Sequence, residues 1–246
     1  MVRSAEHPGA TVQERVSIDS DGRRLEGILA YPETGTPTST MLIAGPHPFL
    51  GGDLENNVVR TMLTELPRRG GLALAFNYSG VGASEGGPID WPAAMSEFWR
   101  TGRIDYETKW ADDAIAAAAM LAAMVTTPRV LVGYSFGCWA ASRCIPRGDV
   151  DGIALLSPNP TRHDFSALHD STAPLLVVSS DNDFSCSLSD VTIWFDDLRA
   201  PKTFKTLNAG EHFFRGHERE VAEIVIRYLH DNGVSNTRDE EYNRSN

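Results

Sequence analysis

From residue 39 onward the chain alternates short strand-like runs with longer helix-like segments, and this alternation constrains its fold more than any other feature. Strand candidates fall at 39–45, 72–78, 129–134, 152–157, 174–180 and 202–207. Helix-like stretches lie at about 54–69, 107–125, 136–145, 187–199 and 217–231. Strands that alternate with helices imply a parallel sheet covered on both faces. Two earlier candidates, 12–19 and 24–31, flank Asp21-Gly22. Asp-Gly is a strong hairpin turn signal, so the sheet should open with antiparallel strands. The expected class is α/β, with an eight-stranded, mostly parallel sheet.

Length and composition narrow the options. The chain has 246 residues, which predicts one domain over 1–231, followed by a polar, disordered tail over 232–246. An apolar content of 41% is ample for a core. The longest apolar run, Ala114 to Val125, is too short for a membrane span and suits a helix packed on a sheet. The N-terminus lacks an apolar signal-peptide core, and the three cysteines are odd in number, so a reducing, cytoplasmic setting is expected. A net charge of −11 argues against nucleic acid as partner. No metal-ligand spacing and no phosphate-binding Gly-Lys-Ser/Thr loop occurs, and the glycines of Gly80 to Gly87 miss the dinucleotide spacing, so neither a metal nor a cofactor is implied. Oligomeric state is not legible.

Chemistry enters at Val130 to Gly137, an apolar run ending in Gly133-Tyr134-Ser135-Phe136-Gly137. Gly-x-Ser-x-Gly between a strand and a helix is the pattern of a nucleophile elbow, a sharp turn that projects the serine Oγ at the N-terminus of the following helix. The bare pattern is weak, so the reading depends on partners. A serine needs a histidine to take its proton, and the histidine needs a carboxylate to fix its tautomer. Downstream, the strand 174–180 runs into Asp181-Asn182-Asp183, and the strand 202–207 is followed by Asn208-Ala209-Gly210-Glu211-His212. A glycine turn is expected there, just before the histidine. Serine, acid and histidine thus appear in a productive order, each past the C-terminal end of a strand, where open α/β sheets assemble their sites.

Several further segments carry a resemblance. They are Gly45-Pro46-His47-Pro48-Phe49-Leu50-Gly51-Gly52, Asn56-Asn57-Val58-Val59, Gly80-Val81-Gly82-Ala83-Ser84-Glu85-Gly86, the serine elbow, and Gly210-Glu211-His212-Phe213-Phe214. Over roughly residues 20–230 the chain resembles an α/β-hydrolase, in particular the small bacterial hydrolases grouped near the dienelactone hydrolases. It departs from that group in one respect: the group usually begins the first segment His-Pro-His-Pro, and Gly45 stands in place of the first histidine. The resemblance implies an α/β-hydrolase fold with a minimal cap, since only residues 157–172 follow the sixth strand, where many relatives insert a helical cap.

In related hydrolases the acid follows the strand's turn residue by about three positions. Taking Ser180 as that residue selects Asp183, with Asp181 as the alternative, a turn cap. Among the histidines, His7 lies in a polar N-terminal segment, and His163 and His169 precede the acid. His217 and His230 belong to the last helix, which leaves His212 as general base. The oxyanion donors expected are the backbone N–H groups of Phe136 and Phe49, with Leu50 the neighbouring choice. His47 either touches substrate or holds this loop by a hydrogen bond. Residues 85–105 read as a long loop carrying Trp91, Met95, Phe98 and Trp99, either an apolar wall or lid over the acyl group or a local satellite core. Substrate contacts are expected from His47, Leu50, Trp91, Trp99 and Phe213. Arg100 and Arg103 are candidates for an acidic substrate group. Cys138 lies past the elbow and is a weak candidate nucleophile.

These readings predict a serine hydrolase acting on a carboxylic ester or related small-molecule acyl substrate. The alternatives are a thioesterase or acyltransferase with the same three residues, and a hydrolase-fold protein that binds a ligand without turnover.

Overall fold

The computed structural model describes residues 9–86 and 89–234. Residues 235–246, most of the expected tail, lie outside them, as does His7. Eight strands form one sheet: β1 (Thr11–Ser20), β2 (Arg23–Pro32), β3 (Ser39–Ala44), β4 (Gly71–Phe76), β5 (Arg129–Tyr134), β6 (Gly152–Leu156), β7 (Leu175–Asn182) and β8 (Lys202–Glu211). Their order across the sheet is β1-β2-β4-β3-β5-β6-β7-β8. Only the β1–β2 and β2–β4 pairings are antiparallel, so β2 alone runs against the rest. The hairpin turns as expected: Asp21 and Gly22 both have positive φ, 54° and 76°, the requirement of a type I′ turn.

Among the described residues six α-helices flank the sheet: α1 (Asn57–Arg68), α2 (Trp91–Thr101), α3 (Glu107–Met124), α4 (Phe136–Ser142), α5 (Leu188–Asp197) and α6 (Glu218–Asp231). Alternate strand residues serve opposite faces, as the two-residue strand period dictates. Met41, Ile43, Val130 and Val132 pack under α1 and α6, whereas Leu42, Ala44 and Leu131 pack under α3, α4 and α5. α1 starts at 57 because the Asn56 side chain accepts from the N–H groups of Val58 and Val59. The segment read as a loop over 85–105 contains a full helix, α2. Asp90 caps its start by accepting from the Ala93 N–H, Pro92 sits in its first turn, and Gly102 ends it in the left-handed conformation at φ 75°.

The strand order fixes where a site can form. The chain steps from β3 to β4 in one direction, then returns past β3 to β5. The crevice at the C-terminal ends of β3 and β5 is therefore the topological switch point, and Ala44 and Gly133 pair across it. Nearby, the fully buried Asp113 of α3 ties three segments together. It accepts from Ser20 Oγ at 2.7 Å, the Ser79 N–H at 2.8 Å and Arg23 at 3.4 Å. Asp113→Ala leaves the Ser79 N–H and the Ser20 hydroxyl without this partner and should cost about 2–4 kcal/mol in urea unfolding.

Candidate active site

The elbow is built by close packing. A Cβ on Gly137 would lie 2.0 Å from the Ala44 carbonyl oxygen, and one on Gly133 would lie 2.5 Å from Cys138 Cα. Neither position tolerates a side chain. Between them Ser135 adopts φ 55° and ψ −119°, a region that non-glycine residues rarely occupy and that clusters at functional sites. Its N–H donates to the Leu156 carbonyl at 2.8 Å, which pins the strained residue to the end of β6.

Asp183 and His212 reach the serine through strand pairing. β7 and β8 run further than their apolar runs suggested, to Asn182 and Glu211, and those two residues pair. Gly210 therefore lies within a strand instead of forming a turn. The next residue on each strand, Asp183 and His212, leaves the sheet beside the other. Ser135 Oγ is 2.8 Å from His212 Nε2, and His212 Nδ1 is 2.9 Å from each carboxylate oxygen of Asp183. An ionised carboxylate only accepts, so Nδ1 carries the proton and Nε2 is left to accept from the serine hydroxyl. Burial works to raise the Asp183 pKa, but the hydrogen bonds and charge of His212 outweigh it and hold the carboxyl below its ordinary range. The Tyr134 hydroxyl donates to the His212 carbonyl at 3.0 Å, and the Phe184 ring lies 4.9 Å from the imidazole. Phe213 packs on both, 5.5 Å from each ring.

The loop after β3 turns tightly at Gly52, where a Cβ would meet the Pro46 carbonyl at 1.9 Å. His47, buried, organises this loop. Its Nδ1 accepts from the Phe49 N–H at 3.1 Å, and its carbonyl accepts from Leu50 and Gly52 at 2.8 and 3.1 Å. Both backbone donors expected of this loop are thus engaged within it, and the Phe49 N–H reaches an oxyanion only by being shared with His47. The imidazole stacks on Phe98 at 4.3 Å, and Trp91 meets Phe49 edge-on at 5.2 Å. α2 therefore closes over the loop as a wall with its own aromatic cluster. Phe98 faces in, and Trp99, one helical position on, turns out to 68% exposure. Neither Trp91 nor Trp99 lines the cavity beside Ser135, whereas His47, Leu50 and Phe98 do.

A buried carboxylate that the sequence did not reveal stands behind this loop. Glu107, 1% exposed, lies 3.1 Å from His163 Nε2, 3.5 Å from His47 Nε2 and 3.3 Å from Arg103 Nε. Arg103 is thereby committed to Glu107, while Arg100 is exposed on α2. Burial raises the Glu107 pKa, but the two imidazoles outweigh it and bring the group down to about 2. Burial lowers the His47 pKa against the opposing pull of Glu107, which keeps Nδ1 free of a proton to accept from Phe49. His163 precedes the acid in the chain and is no candidate base, yet tertiary packing brings it to the site, stacked on Trp139 at 5.1 Å.

The glycines of the Gly80–Gly86 segment are held by packing. A Cβ on Gly82 would lie 2.2 Å from the Asn77 amide nitrogen, and Glu26 binds both that amide and the Ala83 N–H. The Cys138 thiol bonds the Gly133 and Leu156 carbonyls, and burial pushes its pKa well up. A separate apolar cavity of about 90 Å³ lies under α3 beside the start of β5; the Cys144 thiol on its wall is pushed up to about 12 by burial. No helix among the described residues is long and apolar enough to cross a membrane.

Two outcomes test this construction. Gly137→Ala must displace backbone at the elbow and should destabilise the protein by about 3 kcal/mol or more in chemical denaturation. Glu107 titrates at about 2 when folded against an ordinary 4.5, so its contribution to stability is present above 4.5 and lost as pH falls through 2. Urea midpoints measured across that range should fall with pH in the wild type and fall less steeply in Glu107→Gln.

Comparison with known proteins agrees with this architecture. The sequence profile described as the alpha/beta hydrolase family matches residues 49–233. The chain is 27% identical over 218 residues to uncharacterized protein RP471 of Rickettsia prowazekii, covering 84% of each. An alpha-beta serine hydrolase homologue from Coxiella burnetii superposes with a TM-score of 0.72 at 24% identity, over 88% of this chain and 97% of that one. XC6422 from Xanthomonas campestris, described as an α/β serine hydrolase without lid, gives 0.74 at 22% identity, over 89% and 94%. At these identities the two structures attest the fold. With most of its length matched by the family profile and its sheet in the same arrangement, the chain belongs to the alpha/beta hydrolase family.

Proposed function

We propose that this protein, with residues 1–231 acting as one domain, is a serine hydrolase that cleaves carboxylic esters or closely related acyl substrates, with Ser135, His212 and Asp183 as its catalytic triad. One observation carries the reading: the unbroken series from Ser135 Oγ through His212 to Asp183, at 2.8 and 2.9 Å, beginning on a strained elbow residue. A protein that only bound a ligand would have no use for that strain.

The chemistry follows from the atoms. His212 Nε2 takes the hydroxyl proton as Ser135 Oγ bonds to the substrate carbonyl carbon. The oxygen of that carbonyl becomes an oxyanion, which the Phe136 N–H stabilises, with the Phe49 N–H as second donor when shared with His47. Collapse of the intermediate breaks the bond to the leaving oxygen, which receives the proton from His212. Water then attacks the acyl-enzyme, gives a proton to His212 and releases the acid, and Ser135 regains its proton. Asp183 holds the imidazole in the required tautomer and stabilises it when charged.

The reading is tested by intact-mass labelling with a fluorophosphonate. Wild type should take one adduct and Ser135→Ala none; an adduct persisting on the variant would assign the nucleophile elsewhere. On an activated ester, Asp183→Asn should lower kcat about 10,000-fold. Asp181→Asn should cost less than about tenfold, because it is Asp183 whose oxygens meet His212.

A further inference from the structure

Glu107 is buried beside the site, yet the chemistry proposed above gives it no task. It stands in the first turn of α3, and its oxygens are divided among several partners. Oε2 meets His163 Nε2 at 3.1 Å and accepts from Arg103 Nε at 3.3 Å. Oε1 accepts from the Ile104 N–H at 3.3 Å and faces His47 Nε2 at 3.5 Å.

His47 Nε2 makes no hydrogen bond among the described residues, so the carboxylate acts on it through charge. A negative charge facing one ring nitrogen in a buried site favours the proton on that nitrogen. With Nε2 protonated, Nδ1 is left as an acceptor, and the Phe49 N–H donates to it at 3.1 Å. The ring itself is wedged. It stacks on Phe98 at 4.3 Å and meets Trp110 and Phe136 edge-on at 5.1 and 5.3 Å. Rotation is thereby blocked, and the tautomer is what remains to be set. The same imidazole thus holds Phe49 through its N–H and touches Phe136 through its ring, which His163 also meets, at 5.7 Å.

We infer that Glu107 is a positioning residue for the oxyanion hole, fixing His47 in the Nε2-protonated tautomer that holds the Phe49 loop. The inference rests on the serine-hydrolase reading above. A carboxamide at this position would separate charge from volume. It has a single acceptor oxygen, which the Arg103 and His163 side claims, and its NH2 group then faces His47 Nε2. A donor there drives the His47 proton to Nδ1. The Phe49 N–H loses its acceptor, and the turn at Pro48–Leu50 loses its cap.

The test uses the full chain, first confirmed to take one fluorophosphonate adduct on Ser135. Long-range nitrogen–proton NMR correlation spectra report the tautomer, with His47 assigned from the signals that His47→Asn removes. His47 should be protonated at Nε2 in wild type and at Nδ1 in Glu107→Gln. On p-nitrophenyl acetate, Glu107→Gln should lower kcat about 10- to 100-fold and leave KM within about threefold. His47→Asn supplies an acceptor oxygen that needs no tautomer, so adding Glu107→Gln to it should cost less than about threefold in kcat. An equal loss in both backgrounds, a loss carried by KM alone, or a His47 tautomer unchanged by Glu107→Gln would overturn the inference and leave the nucleophile assignment standing. Should Glu107→Gln fail to fold, the wild-type spectrum decides: Nε2 protonation supports the inference and Nδ1 protonation overturns it. Absence of labelling would overturn the serine-hydrolase reading, and the role of Glu107 with it.

Discussion

At Gly137 the backbone of α4 passes so close to the end of β3 that a methyl group there would lie 2.0 Å from the Ala44 carbonyl oxygen. That approach holds the first turn of α4 down on the sheet edge, and it leaves Ser135 with the φ of 55° that turns its side chain out. The strain is tolerated because the surroundings over-determine it: parallel pairing of β5 with both neighbours, a hydrogen bond to Leu156, and a helix buried along its whole length. The strand order adds the second requirement by opening a crevice at this edge.

Around the elbow two buried carboxylates do parallel work. Asp183 fixes His212 with Nε2 toward the serine, and Glu107 lies beside His47 with Nδ1 toward the Phe49 N–H. In each case a carboxylate sits at one ring nitrogen while the other nitrogen serves as acceptor. Both carboxyl groups lie below their ordinary pKa despite burial, so both stay ionised through the neutral range. One arrangement orients a base; the other orients a loop of backbone donors, with His163 sharing the same carboxylate.

Much of this was legible in the chain. All eight strands overlap their expected positions, and β3 to β6 were the clearest because they are buried along almost their whole length and admit few polar interruptions. The Asp21-Gly22 turn followed from its need for two positive φ values. Serine, acid and histidine were legible because each stands at a strand end. Helix α2 was signalled by Asp90, Pro92 and Gly102, but the density of aromatics suggested a loop wall. Glu107 and His163 lie 56 residues apart, and no local pattern announces a contact made only by tertiary packing. The engagement of the Phe49 N–H by the side chain two residues before it depends on a rotamer, which composition and spacing do not encode. Likewise Phe98 and Trp99 are equally aromatic, and only the helical phase of α2 decides which faces inward.

The central claim is that Ser135 forms a covalent acyl intermediate. Its most direct test is acid-quenched mixing of the protein with p-nitrophenyl acetate, followed by peptide mass mapping of the trapped species. The account predicts one acetyl group on the peptide carrying Ser135, formed with the burst of nitrophenol and lost on further turnover. Nitrophenol release with no acetylated peptide, or acetylation at any other residue, would contradict it.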